Sequence, residues 1–131
     1  MTSLVDTFAY PISVEGALRV PRSADEVWTL IGDLSGAGLI EGMVERVEVS
    51  GAGAGAIRSL VLPGDAGAVV ERIEEYDAAQ RYYIYRVIDS GPVDLASYLA
   101  LVRVQPAGPG QSIASWISKG QAVDCKADEI R

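Results

Sequence analysis

The sequence predicts an α+β fold in which one strand and a short helical region precede a run of antiparallel strands. Two observations carry this prediction. A capping-box pattern, Ser23 to Glu26, opens a helix after the first strand. From Val44 onward, six segments alternate between apolar and polar residues and are separated by short turns rich in Gly, Pro and Asp. At 131 residues the chain is predicted to be a single domain spanning 1–131.

The first elements follow from local pattern. Ile12 to Val20 alternates well enough for a strand, with an irregularity expected at Gly16, and Pro21 ends it. The helix then carries an apolar stripe that runs to about Gly32. The glycine-rich stretch 33–43 is predicted to be a loop with one short helical turn around Leu39.

The remaining strands form a meander. They are predicted at Val44–Val49, Ala56–Leu62, Val69–Tyr76, Arg81–Ile88, Leu95–Val104 and Ser112–Ser118. The tail 123–131 reads as the first turns of a helix. Because a curved sheet with one apolar face must be covered, such a helix is expected to lie over it.

The repeat Gly51–Ala56 (GAGAGA) is similar to a phosphate-binding loop only at first sight. A dinucleotide fingerprint needs its third glycine three positions after the second and a helix immediately afterwards. Here the spacing differs and a strand follows, so the repeat is predicted to be a flexible turn or bulge.

Composition excludes several classes of function. The formal net charge is -7 and the pI is about 4.5, with no cluster of basic residues. Such a chain is not expected to bind nucleic acid or an anionic membrane surface. No signal peptide and no apolar run of membrane-spanning length is found, so a soluble cytoplasmic protein without membrane insertion is expected.

The absence of histidine restricts the chemistry most. It excludes Ser-His-Asp and Cys-His catalysis and the usual zinc or non-haem iron sites. Cys125 is the only cysteine, which excludes a disulfide framework and a Cys-based zinc site. No metal and no cofactor are therefore expected, and proton transfer must use carboxylates, tyrosine, lysine or water.

Polar residues are predicted to share one face of the meander with apolar ones. By strand parity the polar residues are Arg58, Glu71, Tyr83, Tyr85 and Tyr98. The apolar residues on that face are Leu60, Leu62 and Val87, and parity adds Glu45 from the preceding strand. Convergent polar groups on an apolar concave surface are typical of a small-molecule site. The alternative is an ion pair of Arg58 with Glu71 between adjacent strands, and tyrosines that simply fill the core.

The chain resembles a known family along most of its length. The segments VPRSADEVWTLIGDL, VERVEVSGAGAGAIRSLVLPG, VVERIEEYD, YYIYRVIDS and SYLALVRVQP resemble the polyketide cyclase/dehydrase and lipid-transport family. That family belongs to the START-like (SRPBCC), helix-grip superfamily, which also contains the plant abscisic-acid receptors. The resemblance implies a curved antiparallel sheet of about seven strands, two short helices after the first strand, and a C-terminal helix over a cavity. Only the start of that helix is present in the sequence.

The same resemblance suggests roles for individual residues. Glu71 and Tyr98 fall where the abscisic-acid receptors place a ligand-binding glutamate and a pocket tyrosine. Glu45 falls where those receptors have a lysine, which disfavours recognition of a ligand carboxylate there. The loop at Leu62–Gly64 resembles one that closes over the ligand, and Asp89–Ser97 resembles the latch that holds it.

Two departures from the family pattern lie at the expected cavity mouth. Ile40–Gly42 stands where members often read W-H-P, which puts the carboxylate of Glu41 at the mouth. Gly91–Tyr98 replaces P-L-P-V-x-N-Y, so the latch loses an asparagine and carries Asp94 instead. We therefore expect Glu41 to join Glu71 and Tyr98 as catalytic candidates, and Asp94 to contact ligand.

Two functions follow from these patterns. The first is a cofactor-free cyclase/dehydratase, of lyase or isomerase type, that promotes cyclisation, dehydration or a related proton transfer on a hydrophobic secondary metabolite. The second is a non-catalytic binding or carrier protein for a hydrophobic ligand. Both predict a hydrophobic small molecule as partner, and a homodimer stays open.

Overall fold

Seven antiparallel strands form one curved sheet in the computed structural model, which describes residues 9–36, 44–93 and 95–123. The strand order is β1-β7-β6-β5-β4-β3-β2, so the first strand pairs with the last. The elements are β1 Ala9–Val20, α1 Ala24–Ile31, β2 Arg46–Ser50, β3 Ile57–Val61, β4 Ala68–Asp77, β5 Tyr82–Asp89, β6 Leu95–Pro106 and β7 Ser112–Val123. A 3-10 turn, Pro63–Asp65, links β3 to β4.

The predicted α+β class with an antiparallel meander is confirmed. The strand ends differ: β1 begins three residues before Ile12, and β7 runs five residues past Ser118. These extra residues pair with each other along one ladder, which local alternation does not reveal. The predicted helical turn around Leu39 and the helix start in 124–131 lie outside the described residues.

The helix α1 starts and stops as the sequence predicts. The backbone N–H of Glu26 donates to Ser23 Oγ at 3.2 Å, and that hydroxyl lies 3.1 Å from the Glu26 carboxylate. At the other end, the N–H of Gly32 donates to the carbonyl of Trp28 at 2.7 Å. Ala24 and Val27 are buried against the sheet, so one apolar stripe fixes the helix on its concave side.

The concave side of the sheet, called the inner face below, is defined by cross-strand register. Its members on the central strands pair directly: Tyr83 with Val102 and Tyr85 with Ala100. Two buried clusters pack on this face. One comprises Ala24, Val27, Val104 and Ala114, and the other Leu34, Ala56, Ile73 and Tyr83.

A bulge in β4 changes which residues face inward. The register between β4 and β5 shifts between Ile73 and Glu75. As a result Ile73 pairs with Tyr85 and Tyr76 pairs with Tyr83. Ile73 and Tyr76 therefore both lie on the inner face, although they are an odd number of positions apart.

The repeat at 51–56 is a turn between β2 and β3, as predicted. Gly51, Gly53 and Gly55 all have positive φ, which side chains with a Cβ rarely adopt. Just before β3 begins, Ala56 is already paired with β4, because the N–H of Ile73 donates to the Ala56 carbonyl at 2.8 Å.

The expected irregularity at Gly16 is not observed. The β1–β7 register runs unbroken through Gly16, which pairs with Trp116. The indole of Trp116 lies across this glycine, since a Cβ there would come within 2.4 Å of the ring. The glycine therefore makes room for a side chain rather than for a bulge.

The β1–β7 half of the inner face is open within the described residues. Val14, Leu18 and Trp116 lie on that face and are exposed, as is Leu30 on α1. A groove of about 630 Å³ separates α1 from β1 and β7 there.

None of the helices in the described ranges is long and apolar enough to cross a membrane.

Candidate functional site

A buried ion pair lies at the centre of the inner face. Arg58 on β3 and Glu71 on β4 are direct cross-strand partners, and Arg58 Nε donates to Glu71 Oε1 at 2.7 Å. Their side chains are only 12% and 5% exposed. Strand alternation turns both inward, and register brings them opposite each other.

Tyrosines extend this pair towards β5 and β6. Arg58 Nη1 donates to the Tyr83 hydroxyl at 3.3 Å, and the guanidinium lies over the rings of Tyr83 and Tyr85, 5.4 and 5.2 Å from their centroids. The rings of Tyr85 and Tyr98 are 6.3 Å apart. Arg58, Glu71, Tyr83 and Tyr85 are called the polar cluster below, and Tyr98 lies at its edge.

The guanidinium and carboxylate of the cluster are not fully used by these contacts. Arginine has five N–H donors, and two are engaged by Glu71 and Tyr83 among the described residues. Glu71 accepts through Oε1, whereas Oε2 has no hydrogen-bond partner within the same part of the chain. As far as the described residues are concerned, one donor edge of Arg58 and one acceptor oxygen of Glu71 are thus left for a bound molecule.

Burial shifts the acid–base properties of the cluster. It raises the pKa of Glu71, and the charge and hydrogen bond of Arg58 offset this only in part. For Arg58, burial acts to lower the pKa, but Tyr83 and Glu71 outweigh it and the net pKa is raised. Burial also raises the pKa of Tyr85, with the Glu71 charge adding to it. Arg58 stays charged, and Tyr85 stays a hydroxyl donor at ordinary pH.

The polar cluster lines a cavity of about 170 Å³. Its wall is completed by residues from the helix end, β3 and β6: Ile31, Asp33, Gly36, Leu60 and Val102. The site thus combines a few polar groups with a mainly apolar wall, as small-molecule sites do.

The structure brings most of the predicted site residues to one face. Arg58, Leu60, Glu71, Tyr83 and Tyr85 line the cavity. Two others are half-buried nearby without lining it: Val87, opposite Glu71, and Leu62, just after β3.

Glu45 is not brought to the cavity. It precedes β2, and its side chain is 51% exposed and pairs with Arg46 at 3.2 Å. Parity does not carry it inward, because it lies beyond the strand end and reaches water. The other two predicted carboxylates, Glu41 and Asp94, lie outside the described residues.

Four lining residues were not among the predicted site residues: Ile31, Asp33, Gly36 and Val102. Ile31 and Val102 carry no polar group, so the sequence marks them only as apolar members of their helix and strand. Asp33 follows α1 directly, and its Oδ1 accepts from the Ser35 N–H at 3.0 Å and the Ser35 hydroxyl at 2.7 Å. These bonds lower the pKa of Asp33 and keep it ionised.

A second groove adjoins the cavity at Asp33. Its volume is about 410 Å³, and it lies between the residues after α1, Val49, the glycine turn and Tyr76. Asp33 lines both spaces, so the cavity and this outer groove meet at the segment that follows α1.

The two loops predicted to close and latch the site lie next to each other. A Cβ on Gly67, just after the 3-10 turn, would be 3.5 Å from Pro92 Cδ. A Cβ on Gly91 would meet the carbonyl of Ala68 at 2.1 Å. The turn between β3 and β4 therefore packs against the start of the β5–β6 connection, and the closing role of both loops stays a prediction.

Within the described ranges, no group of three or more His, Cys, Asp or Glu is placed to hold a metal ion. The buried carboxylate of the cavity, Glu71, already has Arg58 as its partner, an arrangement that competes with metal coordination.

The fold and cavity define a ligand-binding protein of the START-like, helix-grip class. Residues 11–123 match the family described as polyketide cyclase / dehydrase and lipid transport, and the chain belongs to that family. Curated protein sequences give no significant match.

Solved structures share this fold although their sequences are only 20–27% identical to this chain in the three cases that follow. Norcoclaurine synthase from Thalictrum flavum is 20% identical, with a TM-score of 0.71 over 99% of this chain and 80% of that one. The Zhui aromatase/cyclase from Streptomyces sp. R1128 is 21% identical, with a TM-score of 0.74 over 92% of this chain and 73% of that one. A protein from Thermobifida fusca is 27% identical, with a TM-score of 0.70 over 90% and 79%.

Proposed function

We propose that the protein is a cofactor-free enzyme of the cyclase/dehydratase type that acts on a hydrophobic small molecule. One observation carries the proposal: Glu71 is held by Arg58 through Oε1 while Oε2 has no hydrogen-bond partner among the described residues. A buried carboxylate with one oxygen fixed and one free is suited to proton transfer. The family description and the Zhui aromatase/cyclase support an aromatic polyketide or a related secondary metabolite as substrate.

In this mechanism Glu71 acts first as a base. Its Oε2 takes a proton from a carbon next to a substrate carbonyl, and the electrons of the C–H bond move to the carbonyl oxygen. The remaining N–H groups of Arg58 stabilise the resulting enolate, as preorganised donors do for developing negative charge. The enolate carbon then forms a bond to a second carbonyl carbon of the same molecule, whose oxygen takes the abstracted proton back from Glu71.

The same groups can complete a dehydration. Glu71, again a carboxylate, takes a second proton from the same carbon, and the electrons of that C–H bond form the C=C bond as the hydroxyl leaves. The leaving hydroxyl takes this proton from Glu71, so that water departs and Glu71 ends as a carboxylate. The raised pKa of Glu71 favours this exchange, because a carboxyl group whose pKa is shifted towards neutral pH can both accept and donate a proton. Tyr85 remains protonated and, with Tyr98 beside it, supplies hydroxyl donors at the cavity edge.

The second candidate is a non-catalytic binding or carrier protein. The ion pair itself favours it, because Arg58 and Glu71 already satisfy each other across adjacent strands. In that case the tyrosines only shape an apolar cavity, and the pair only fixes the sheet.

Native mass spectrometry of the purified protein separates the two candidates when combined with product analysis. A co-purified molecule is identified by its mass, resupplied in excess, and followed by liquid chromatography and mass spectrometry. The enzyme predicts conversion to an isomer or to a product that has lost water, at a rate proportional to protein concentration. Tight binding with the molecule recovered unchanged would contradict catalysis and support the carrier.

A further inference from the structure

One tyrosine outside the cavity wall contacts both the segment that follows α1 and the polar cluster. The bulge in β4 turns Tyr76 onto the inner face, where its ring lies 5.5 Å from Trp28 and 6.2 Å from Tyr83. The rings of Tyr76 and Tyr83 are nearly parallel, with an angle of 19°. Tyr76 thus supports the tyrosine that accepts from Arg58.

The hydroxyl of the same residue fixes the end of α1. It donates to the carbonyl of Gly32 at 2.8 Å, one of the last helix carbonyls that have no partner within the helix. The residues from Gly32 to Gly36, called the mouth segment below, begin at this bond. Asp33 and Gly36 of the mouth segment line the cavity, and Asp33 also lines the outer groove.

The mouth segment has a second anchor within the described residues. Leu34 is buried in the cluster with Ala56, Ile73 and Tyr83. Among the described residues, the other hydrogen bonds of the mouth segment run to α1 or stay within the segment: Gly32 N–H to the Trp28 carbonyl at 2.7 Å, Ser35 N–H to Asp33 Oδ1, and Gly36 N–H to the Asp33 carbonyl at 2.9 Å. Within that part of the chain, the Tyr76 hydroxyl therefore makes the side-chain hydrogen bond from β4 to this segment, in addition to the burial of Leu34 in a cluster with Ile73.

We propose that Tyr76 is a positioning residue that holds the mouth segment, and thereby controls exchange of ligand with the cavity beside Arg58 and Glu71. Its hydroxyl acts on the entrance, and its ring acts on Tyr83. The ligand part of this proposal rests on the proposed binding site, whereas the entrance part rests on the Tyr76–Gly32 contact alone. Burial raises the pKa of Tyr76, so the hydroxyl stays a donor across the ordinary pH range.

The substitution Tyr76→Phe removes the hydroxyl and keeps the ring. Tyr82→Phe is the matched control, because the Tyr82 hydroxyl bonds to the exposed Glu75 at 3.1 Å and does not face the cavity. Val104→Ala is the stability control, since it loosens the other buried cluster without touching Tyr76.

Amide hydrogen exchange tests the entrance directly and needs no ligand. We expect Tyr76→Phe to speed exchange at Ser35 and Gly36 by about fivefold, the factor that one hydrogen bond of ordinary strength is worth. The rates in Tyr82→Phe and Val104→Ala should stay near those of the wild type at these two amides. Unchanged exchange in Tyr76→Phe, or equal acceleration in Val104→Ala, would overturn the positioning role.

Stopped-flow binding of the dye anilinonaphthalene sulfonate tests the link to ligand exchange. Tyr76→Phe should raise the dye's association and dissociation rates together, whereas both controls leave them unchanged. If the dye rates stay unchanged although amide exchange is faster, Tyr76 does not control ligand exchange. A wild-type protein that binds no dye would also overturn this control for the dye used as the probe. Neither result depends on turnover, so loss of the proposed catalytic function would be seen separately in Glu71 variants.

Discussion

Arg58 Nε and Glu71 Oε1 lie 2.7 Å apart on adjacent strands of the sheet, in side chains that are almost fully enclosed. Two buried charges in contact stabilise each other only while both are present. In the part of the chain that the structure describes, they also leave a donor edge and a carboxylate oxygen for a ligand. The stability of the fold and the chemistry of the site therefore depend on the same pair, and they can be tested separately.

Arg58→Met should lower the free energy of unfolding by about 3 kcal/mol near neutral pH, because it leaves the Glu71 carboxylate buried without its partner. Urea denaturation measures this loss. The double variant Arg58→Met/Glu71→Gln should recover more than half of it, since no charge then remains. Arg72→Met is the surface control, and the loss of its solvent-screened pair with Glu74 should matter far less than the loss of Arg58. Equal losses in the single and double variants would contradict an uncompensated charge as the cause.

The stability of the protein should depend on the protonation of Glu71. Burial raises its pKa in the folded state above the ordinary 4.5. The folded protein therefore binds this proton more tightly than the unfolded chain does. The contribution of protonated Glu71 to the free energy of unfolding is full below the pKa of the unfolded chain, and it is lost as the pH rises through the pKa of the folded protein. Relative to Glu71→Gln, the wild type should be most stable below the ordinary pKa of 4.5 and should lose this advantage as the pH rises above it. Urea denaturation across that range measures it, and an advantage that grows with pH would mean that Arg58 outweighs burial.

Gly91→Ala should destabilise the protein much more than Gly53→Ala. Both glycines have positive φ, which costs an alanine about 1 kcal/mol. At Gly91 the new Cβ would also meet the Ala68 carbonyl at 2.1 Å, whereas at Gly53 it meets nothing within 4 Å. Thermal unfolding should therefore show a clearly larger fall in Tm for Gly91→Ala, and similar falls for the two variants would contradict the packing of the β5–β6 connection on β4.

Tyr98→Phe tests the edge of the polar cluster. If its hydroxyl donates to the substrate, its loss should lower kcat by about tenfold, in line with the loss of one donor to developing charge. The packing of its ring on Tyr85 is kept, so the Tm should change little. Turnover equal to that of the wild type would limit Tyr98 to shaping the cavity.

The inner face could be predicted from the sequence because strand alternation holds through Arg58, Glu71, Tyr83 and Tyr85. Alternation also gave the ion pair as an alternative to a ligand role, and the pair is present. Whether it serves a ligand is a question of chemistry that spacing alone does not address.

Tyr76 and Glu45 show where alternation fails. The β4 bulge adds a residue after Ile73, so parity counted from Glu71 points Tyr76 the wrong way. Glu45 lies just before β2, and although its N–H donates to the Val61 carbonyl at 2.7 Å, its side chain turns to water and pairs with Arg46. Asp33 belongs to a turn after α1, and only the three-dimensional fold brings it beside β3 and β4.

The most direct measurement of the central claim is the turnover of Glu71→Gln with the substrate found by native mass spectrometry. The substitution keeps the shape of the side chain and removes its ability to accept a proton. Glu74→Gln is the matched control, because Glu74 lies on the same strand but pairs with Arg72 and Arg86 away from the cavity. The account predicts that Glu71→Gln lowers kcat by about 100-fold or more with ligand affinity nearly unchanged, while Glu74→Gln stays near wild type. Full turnover in Glu71→Gln would contradict it.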